Sequence, residues 1–215
     1  MRQTVSGGGQ TTADSARRRA LINSCGLTGR WLLATFETAE RDKHNRAVLA
    51  MIRSWARWVR GWAESPNPVW AGGPAGKPGV LMYGPPGAGK SWIGACAVNM
   101  LVDNGVAARF LRTVDMPKHD TEAVEALADI ERTPVLVLDD LGAEKRTERA
   151  LECLYLVIDG RAHAEAPTIV TTNWRPDPLM GLLNAAGAGF GDKLLSRLHG
   201  LCEFVPVGGP DRRKL

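Results

Sequence analysis

The chain has 215 residues, of which 44% are hydrophobic and 23% charged, as expected for one globular domain with or without an extension. No apolar segment is long enough to cross a membrane, and no secretory leader is visible. The four cysteines are widely spaced, which indicates neither a zinc motif nor a disulfide framework. The sequence therefore predicts a cytoplasmic protein with reduced thiols and no membrane contact.

Charge is unevenly distributed along the chain. The net charge is +7 over residues 1–63 and −3 over the remainder, within a total of +4. A basic N-terminal part on a mildly acidic body suggests an anionic partner, although a solvated surface would produce the same pattern.

Four segments follow one another along the sequence. Residues 1–25 are rich in glycine and polar side chains and include three consecutive arginines, which predicts a flexible basic tail. Residues 26–63 form a short helical N-terminal extension, because apolar residues between about 39 and 63 recur at spacings of three and four. Residues 64–79 contain four prolines and four glycines, which indicates a linker. Residues 80–215 form the core.

The core alternates apolar strands with helices. The pattern predicts strands at 80–83, 108–114, 135–138, 168–171 and 203–207, and helices at 90–103, 121–131, 147–164 and 193–198. Such alternation is typical of a parallel sheet with helices on both faces, so the fold class is α/β.

A glycine-rich turn after the first core strand carries a phosphate-binding signature. Residues 84–91, GPPGAGKS, fit the Walker A pattern G-x-x-x-x-G-K-[ST] between a strand and a helix. Glycines let consecutive amide groups point into one concavity, and the helix N-terminus adds positive potential. Lys90 is expected at the β- and γ-phosphates and Ser91 at Mg²⁺. The predicted nucleotide-binding residues are Gly84, Pro85, Pro86, Gly87, Ala88, Gly89, Lys90, Ser91 and the adjoining Trp92.

Acidic and amide side chains follow two later strands. Asp139 and Asp140 end the strand at 135–138, and Asn173 follows the strand at 168–171. The carboxyl edge of a parallel sheet is where ligands bind, so Asp139 is predicted to hold Mg²⁺ through water, as a Walker B acid. Asp140 is placed to orient or deprotonate the attacking water, and Asn173 to hydrogen-bond that water and the γ-phosphate. Lys90, Asp139, Asp140 and Asn173 thus predict an ATPase with ATP and Mg²⁺ as cofactors.

Five segments together resemble a known family. They are GPPGAGKSWIGACA, VLVLDDLGAEKRTE, LYLVIDGRA, PTIVTTNW and KLLSRLHGLCEFVPVGGPDRR. In order and spacing they resemble the AAA+ ATPases of the bacterial and phage DnaC/DnaI helicase-loader group, close to the IstB transposition helpers. The resemblance begins near residue 30 and is strongest over 80–213. Family members usually carry a separate helicase-binding region, whereas only about 60 residues precede the linker in this sequence.

The resemblance implies roles for several arginines. Arg197 is similar to the family's arginine finger, which reaches the γ-phosphate of a neighbouring subunit. Arg213 resembles the C-terminal sensor-2 arginine, with Arg212 as the alternative. Arg161 matches a recurrent arginine whose role stays open. A finger supplied by a neighbour implies self-association with ATP into a ring or a spiral.

The resemblance also implies two partners, a replicative hexameric DNA helicase and single-stranded DNA. Two basic clusters could line a pore for the DNA: one holds Arg112, Lys118 and His119, and the other holds Lys145, Arg146 and Arg149. Trp55 and Trp62 lie on the apolar stripe of the predicted helix and should pack inward. Trp58 lies off that stripe and is the best candidate for an exposed contact.

Three functions remain open at this point. The favoured one is an ATP-dependent helicase loader that binds single-stranded DNA and hydrolyses ATP at a subunit interface. The alternative is an IstB-type ATPase that assists a transposase with the same site. The third is a binding module that holds ATP as a structural ligand. A kinase is disfavoured, because two acids at a strand end suit attack by water.

Overall fold

The computed structural model describes residues 12–39, 43–64, 76–117, 121–144, 147–185 and 189–214. The strands among these residues are β1 (Gly79–Tyr83), β2 (Ala108–Arg112), β3 (Val135–Leu141), β4 (Thr168–Thr172) and β5 (Cys202–Pro206). The α-helices there are α1 (Thr12–Ser24), α2 (Arg46–Ala63), α3 (Lys90–Asp103), α4 (Thr121–Arg132), α5 (Glu148–His163), α6 (Pro176–Asn184) and α7 (Phe190–Leu201). A short 3₁₀ turn, Gly29–Leu33, precedes α2.

The strands form one parallel sheet in the order β2-β3-β4-β1-β5. The predicted α/β class with a parallel sheet is therefore confirmed. Because β3, β4 and β1 are neighbours, their carboxyl ends meet at one edge of the sheet. The turn after β1, the acids that end β3 and the amide after β4 are thereby brought together.

Helices cover both faces of this sheet. Val80 and Met82 of β1 face a hydrophobic cluster that also contains buried residues of α2 and α3. Leu81 between them faces a second cluster, built from α4 to α7. Alternate residues of a buried parallel strand must pack against opposite layers, which explains the continuous apolar runs in the sequence.

The N-terminal extension packs into the first of these clusters. Trp55 of α2 is fully buried, and its indole Nε1 donates to Pro78 O at 3.0 Å. The side-chain amide of Asn99 on α3 donates to Trp31 O at 2.9 Å and to Ala34 O at 2.8 Å. Phe110 N donates to Cys25 O at 2.7 Å, which ties β2 to the same segment. The extension is therefore part of the core packing.

Three expectations about this region need correction. Residues 12–24, assigned to the flexible tail, form helix α1, which packs Leu21 and Ile22 against the first cluster; residues 1–11 lie outside the described residues. Helix α2 begins at Arg46, not near residue 39, because residues 43–45 form a turn in front of it. Trp58 is half-buried and packs against the first cluster, since its side lies next to the buried stripe.

Helix α6 was not predicted from the sequence. Its segment contains Pro176 and Pro178, which resemble loop residues, but proline is well tolerated in the first turn of a helix. Leu179 and Leu183 are fully buried there and pack with α7. Most of the predicted linker, residues 65–75, lies outside the described residues.

Two further observations bear on the chain as a whole. Among the described residues no helix combines the length and the apolar character that crossing a bilayer requires. The four cysteines are all buried and unpaired as free thiols.

Candidate active site

The Walker A turn joins β1 to α3 at the carboxyl edge of the sheet. Gly89 adopts φ +93° and immediately precedes Lys90, the first residue of α3. Gly87 has φ +78°, and a Cβ added there would lie 1.9 Å from Asp211 Oδ1. A left-handed backbone and the close C-terminal segment both require glycine at this position. The turn therefore presents main-chain amides, and the N-terminus of α3 points at the same concavity.

Lys90 is buried at this turn, with 6% of its surface exposed. Its Nζ donates to Gly84 O at 2.7 Å, to Pro85 O at 2.9 Å and to Asn173 Oδ1 at 2.8 Å. Burial lowers the pKa of Lys90 to about 8, and the carboxylates of Asp140 and Asp139 partly oppose that shift. The ammonium is thus held beside the phosphate-binding turn by neutral carbonyls that a phosphate can replace.

Asp139 lies at the end of β3 and is buried beside two hydroxyl groups. Thr171 Oγ1 donates to Asp139 Oδ1 at 2.6 Å. Burial raises the pKa of the Asp139 carboxyl, whereas hydrogen bonds from Thr171 and Ser91 lower it. The structure therefore brings together Ser91 and Asp139, the two predicted magnesium ligands.

Asp140 interrupts the regular ladder of β3. It has φ +63°, and the pairing of β3 with β4 shifts register between Leu138 and Leu141. Its N–H donates to Thr171 Oγ1 at 2.9 Å. The bulge directs the Asp140 carboxylate into the cavity, where Asn173 Nδ2 donates to Asp140 Oδ1 at 2.7 Å.

The Asn173 amide links the two charged groups of the site. Its oxygen accepts from Lys90 and its nitrogen donates to Asp140. A side-chain amide can bridge a cation and an anion in this way because it carries both an acceptor and two donors. Lys90, Asp140 and Asn173, predicted separately from three strand ends, therefore form one hydrogen-bonded chain.

A cavity of about 450 Å³ opens above this hydrogen-bonded series of three side chains. Asp140, Asn173 and residues of the Walker A turn line it, together with Trp92, Arg212 and Arg213. Its remaining wall comes from the N-terminal extension, through Arg30, Trp31, Thr38, Ala39 and Asn45. The Trp31 and Trp92 rings lie 5.7 Å apart. The sequence did not predict that the extension forms part of this cavity wall, because the residues involved lie in segments without a recognisable motif.

Both C-terminal arginines reach the cavity. Arg212 N donates to Gly87 O at 3.0 Å, and its guanidinium contacts Ala88 O. Arg213 is exposed and pairs with Asp211, with 2.9 Å between Arg213 Nε and Asp211 Oδ1. The hydrogen bonds from Arg213 lower the pKa of Asp211 to about 2. The structure therefore leaves Arg212 and Arg213 both in position to face a phosphate.

Two other predicted arginines lie away from the cavity. Arg197 is exposed on α7 and pairs with Asp159 of α5, which also accepts from the Tyr155 hydroxyl at 3.3 Å. Arg161 is fully buried and donates to Thr168 and to three carbonyl oxygens near the amino ends of β3 and β4. That is the opposite edge of the sheet, so Arg161 stabilises the fold and does not act at the nucleotide site.

The predicted DNA clusters are described only in part. Arg112 is exposed and pairs with Asp115, with 2.6 Å between Arg112 Nε and Asp115 Oδ2. Arg149 is exposed at the start of α5. Lys118, His119, Lys145 and Arg146 lie outside the described residues.

Thr171 is a further site residue that sequence reasoning did not single out. It is buried in β4 and contacts both Asp139 and Asp140. It lies one residue before the carboxyl end of β4, where ligands bind in parallel sheets, and that position was a usable signal.

Comparison with protein families and with curated proteins gives three matches that bear on the site. Residues 76–215 match the family model described as IstB-like ATP binding protein. The replicative helicase loader DnaI of Bacillus subtilis (strain 168) is 26% identical over 209 residues, which cover 92% of this chain and 64% of the loader. An ATP-binding protein in an insertion sequence of Mycobacterium tuberculosis is 28% identical over 189 residues, which cover 84% of this chain and 68% of that protein.

Solved structures give the same relationship. The crystal structure of DnaI superposes with a TM-score of 0.71 at 26% identity and covers 92% of this chain and 100% of that one. The DnaC helicase loader gives 0.64 at 21% identity, and AMPPCP-bound DnaA from Aquifex aeolicus gives 0.63 at 16%; both are likenesses of fold. These matches confirm the resemblance drawn from the motifs and the AAA+ P-loop fold that it implied. The chain spans less than two thirds of the length of the curated loader.

Proposed function

Because this chain belongs to the IstB-like ATP-binding family, we propose that it is an ATPase that loads a replicative DNA helicase onto single-stranded DNA. The observation that carries the ATPase part is the hydrogen-bonded chain of Lys90, Asn173 and Asp140 at the floor of one cavity. The loader part is supported by the match to DnaI, which extends over 92% of this chain and includes the N-terminal extension.

The triphosphate binds along the Walker A turn. Phosphate oxygens take the place of the carbonyls of Gly84 and Pro85 as partners of the Lys90 ammonium, and the amides of the turn donate to them. Arg212 and Arg213 face the same phosphates from the C-terminal segment. The nucleoside lies against the wall that the extension contributes.

The donor set fits a magnesium ion held mainly by phosphate and water. Ser91 and Asp139 offer one hydroxyl and one carboxylate in contact, both hard oxygen ligands. Among the described residues no group of three or more His, Cys, Asp or Glu could hold a metal by itself. When bound, a magnesium ion supplies positive charge that offsets the phosphate oxygens.

Hydrolysis depends on Asp140, which is the acidic end of the hydrogen-bonded series. Asp140 orients the attacking water and accepts its proton, while Asn173 holds that carboxylate and reaches the γ-phosphate. Arg197 lies outside the nucleotide cavity of its own subunit. This position suits an arginine finger directed at the γ-phosphate of a neighbouring subunit. ATP therefore promotes a ring or spiral, and turnover depends on its assembly.

Subunit mixing tests the shared site. Lys90→Ala removes ATP contact but leaves Arg197 intact, and Arg197→Ala does the reverse. Each variant alone should lose at least about a hundredfold in ATP turnover. An equimolar mixture should recover a measurable part of the rate, because some interfaces then combine an intact cavity with an intact finger. No recovery at any ratio contradicts a shared site.

A second candidate is an ATPase that assists a transposase. It is favoured by the insertion-sequence relatives, one of which is 28% identical over 84% of this chain. Pull-down with ATP separates the two candidates: the loader retains a replicative helicase, and the alternative retains the transposase. A chain that binds ATP but shows no turnover, with or without single-stranded DNA, would be a binding module instead.

A further inference from the structure

Helix α2 carries a straight row of arginines on its outer side. Arg46, Arg53, Arg57 and Arg60 follow one another at intervals of seven, four and three residues. At 3.6 residues per turn these positions fall within a strip about 60° wide and about 21 Å long. The buried residues of α2, such as Ile52, lie on another side of the helix.

This row continues onto helix α1 across the end of α3. Arg60 Nη1 donates to Asn104 Oδ1 at 2.9 Å, and Arg18 Nε donates to Asp103 Oδ1 at 3.0 Å. Arg17 Nη2 donates to Gly105 O at 3.4 Å. Arginines from two helices that are far apart in sequence therefore meet around residues 103–105.

Acidic side chains neutralise this surface only in part. Glu37 pairs with Arg53, Glu64 with Arg60, and Asp103 with Arg18. These pairs are solvent-exposed, so a phosphate can exchange with the carboxylate at little cost.

Two cations of the row remain available. Arg46 and Arg57 are exposed and make no ion pair with any residue in the described part of the chain. They lie three turns apart on nearly the same line of the helix. The surface therefore keeps an excess of positive charge along its whole length.

We propose that this row, together with Arg17 and Arg18, binds the phosphate backbone of single-stranded DNA. A narrow single row of guanidinium groups fits one backbone, whereas a duplex presents two. None of the large exposed hydrophobic residues among those described lies on α1 or α2. A protein partner would need apolar anchors at the centre of its contact, so the charge pattern fits a nucleic acid better. Exposed Ala50 and Ser54 beside the row leave room for a backbone to approach.

The inference rests on the proposed binding of single-stranded DNA and assigns its phosphate contacts to the N-terminal helices. The test compares the full chain with three double variants by fluorescence anisotropy on a single-stranded oligonucleotide over a range of salt. Arg46→Gln/Arg57→Gln removes two cations of the row. Arg112→Gln/Arg149→Gln removes two cations of the clusters predicted to line a pore. Arg132→Gln/Lys193→Gln is the matched control, on helices that cover the other face of the sheet.

Each phosphate contact contributes about 0.7 to the slope of log affinity against log salt for a single strand. Arg46→Gln/Arg57→Gln should therefore reduce the magnitude of this slope by about 1.4. If the variant and the parent bind equally at 1 M salt, the variant should bind about 25-fold more weakly than the parent at 0.1 M salt. The matched control should bind as the parent chain does, and the unfolding temperatures of all three variants should stay close to that of the parent.

The outcomes separate this inference from the proposed function. If Arg112→Gln/Arg149→Gln loses affinity while Arg46→Gln/Arg57→Gln does not, DNA binding stands and its assignment to α2 is wrong. Preference of the parent chain for a duplex of equal length would overturn the single-strand assignment. If the parent chain binds no DNA, the proposed single-strand binding and its assignment to α2 both fail, whereas ATP turnover is tested separately by subunit mixing. Helicase capture that Arg46→Gln/Arg57→Gln alone abolishes would then assign the row to an acidic protein surface.

Discussion

Replacing Arg161 with methionine tests whether this buried side chain stabilises the fold or acts at the nucleotide site. Methionine is unbranched, uncharged and two atoms shorter than arginine, so the change removes hydrogen bonds without overpacking the site. Burial lowers the pKa of Arg161 to about 10, so the native side chain stays charged at neutral pH. The guanidinium donates to Glu131 O at 2.8 Å, Thr133 O at 2.7 Å and Pro167 O at 2.6 Å.

The size of the effect follows from which acceptors lose their donor. Pro167 O keeps a second donor, Leu136 N at 3.1 Å. The carbonyls of Glu131 and Thr133 lose the guanidinium, and an unsatisfied buried carbonyl costs about 1–3 kcal/mol. The free energy of unfolding should therefore fall by about 4 kcal/mol, a large share of the roughly 5–15 kcal/mol typical of a domain. At about 2–4 °C per kcal/mol, the unfolding temperature should fall by about 8–16 °C.

Thermal and urea unfolding measure the stability, and nucleotide titration at low temperature measures the site. Arg149→Met is the matched control, because Arg149 lies on the same helix and is exposed. It should change stability by less than about 0.5 kcal/mol. An Arg161→Met protein with unchanged unfolding temperature but weakened ATP binding would refute the reasoning.

Three further predictions concern the site. ATP affinity should fall as pH rises through about 8, because Lys90 then loses the proton that attracts phosphate; Lys90→Arg should remove this dependence in calorimetric titrations. Thr171→Val should lower stability by about 1–3 kcal/mol and raise the Mg²⁺ concentration for half-maximal turnover, because Asp139 loses a hydrogen bond; an unchanged magnesium requirement argues against this role. Asp159→Asn removes the ion pair of the Arg197 guanidinium and should lower turnover at unchanged ATP affinity, with partial rescue by Lys90→Ala subunits. A normal rate would show that the ion pair is dispensable.

Most of the core could be predicted from the sequence. Strands such as 80–83 and 135–138 are continuous apolar runs, and only a parallel sheet with two covered faces accommodates such runs. The strand ends then place the Walker A turn, the acidic pair and Asn173 at one edge by topology alone. The local sequence pattern did not predict helices α6 and α1. Prolines in the first turn of α6 resemble a loop, and the stability of α1 comes from packing against α3.

The site was predictable where one motif carries the chemistry and unpredictable where the fold assembles it. Lys90, Ser91 and Asp139 belong to motifs whose spacing predicts that they lie together, and the structure places them at one edge of the sheet. The role of Arg161 could not be assigned from the sequence, because it depends on carbonyl partners at the opposite edge of the sheet. Trp58 differed from expectation because a helix side that is polar in sequence can still pack against a neighbouring segment.

The sequence by itself determined the phosphate-binding turn, the acidic strand end and the parallel sheet that joins them, because these features depend on local backbone geometry and strand order. Tertiary structure alone decided which side chains touch. The bridge of Asn173 between Lys90 and Asp140, the cavity wall from the extension and the joined arginines of α1 and α2 all link residues remote in sequence. Such contacts depend on how layers pack, and packing geometry is a property of the whole chain.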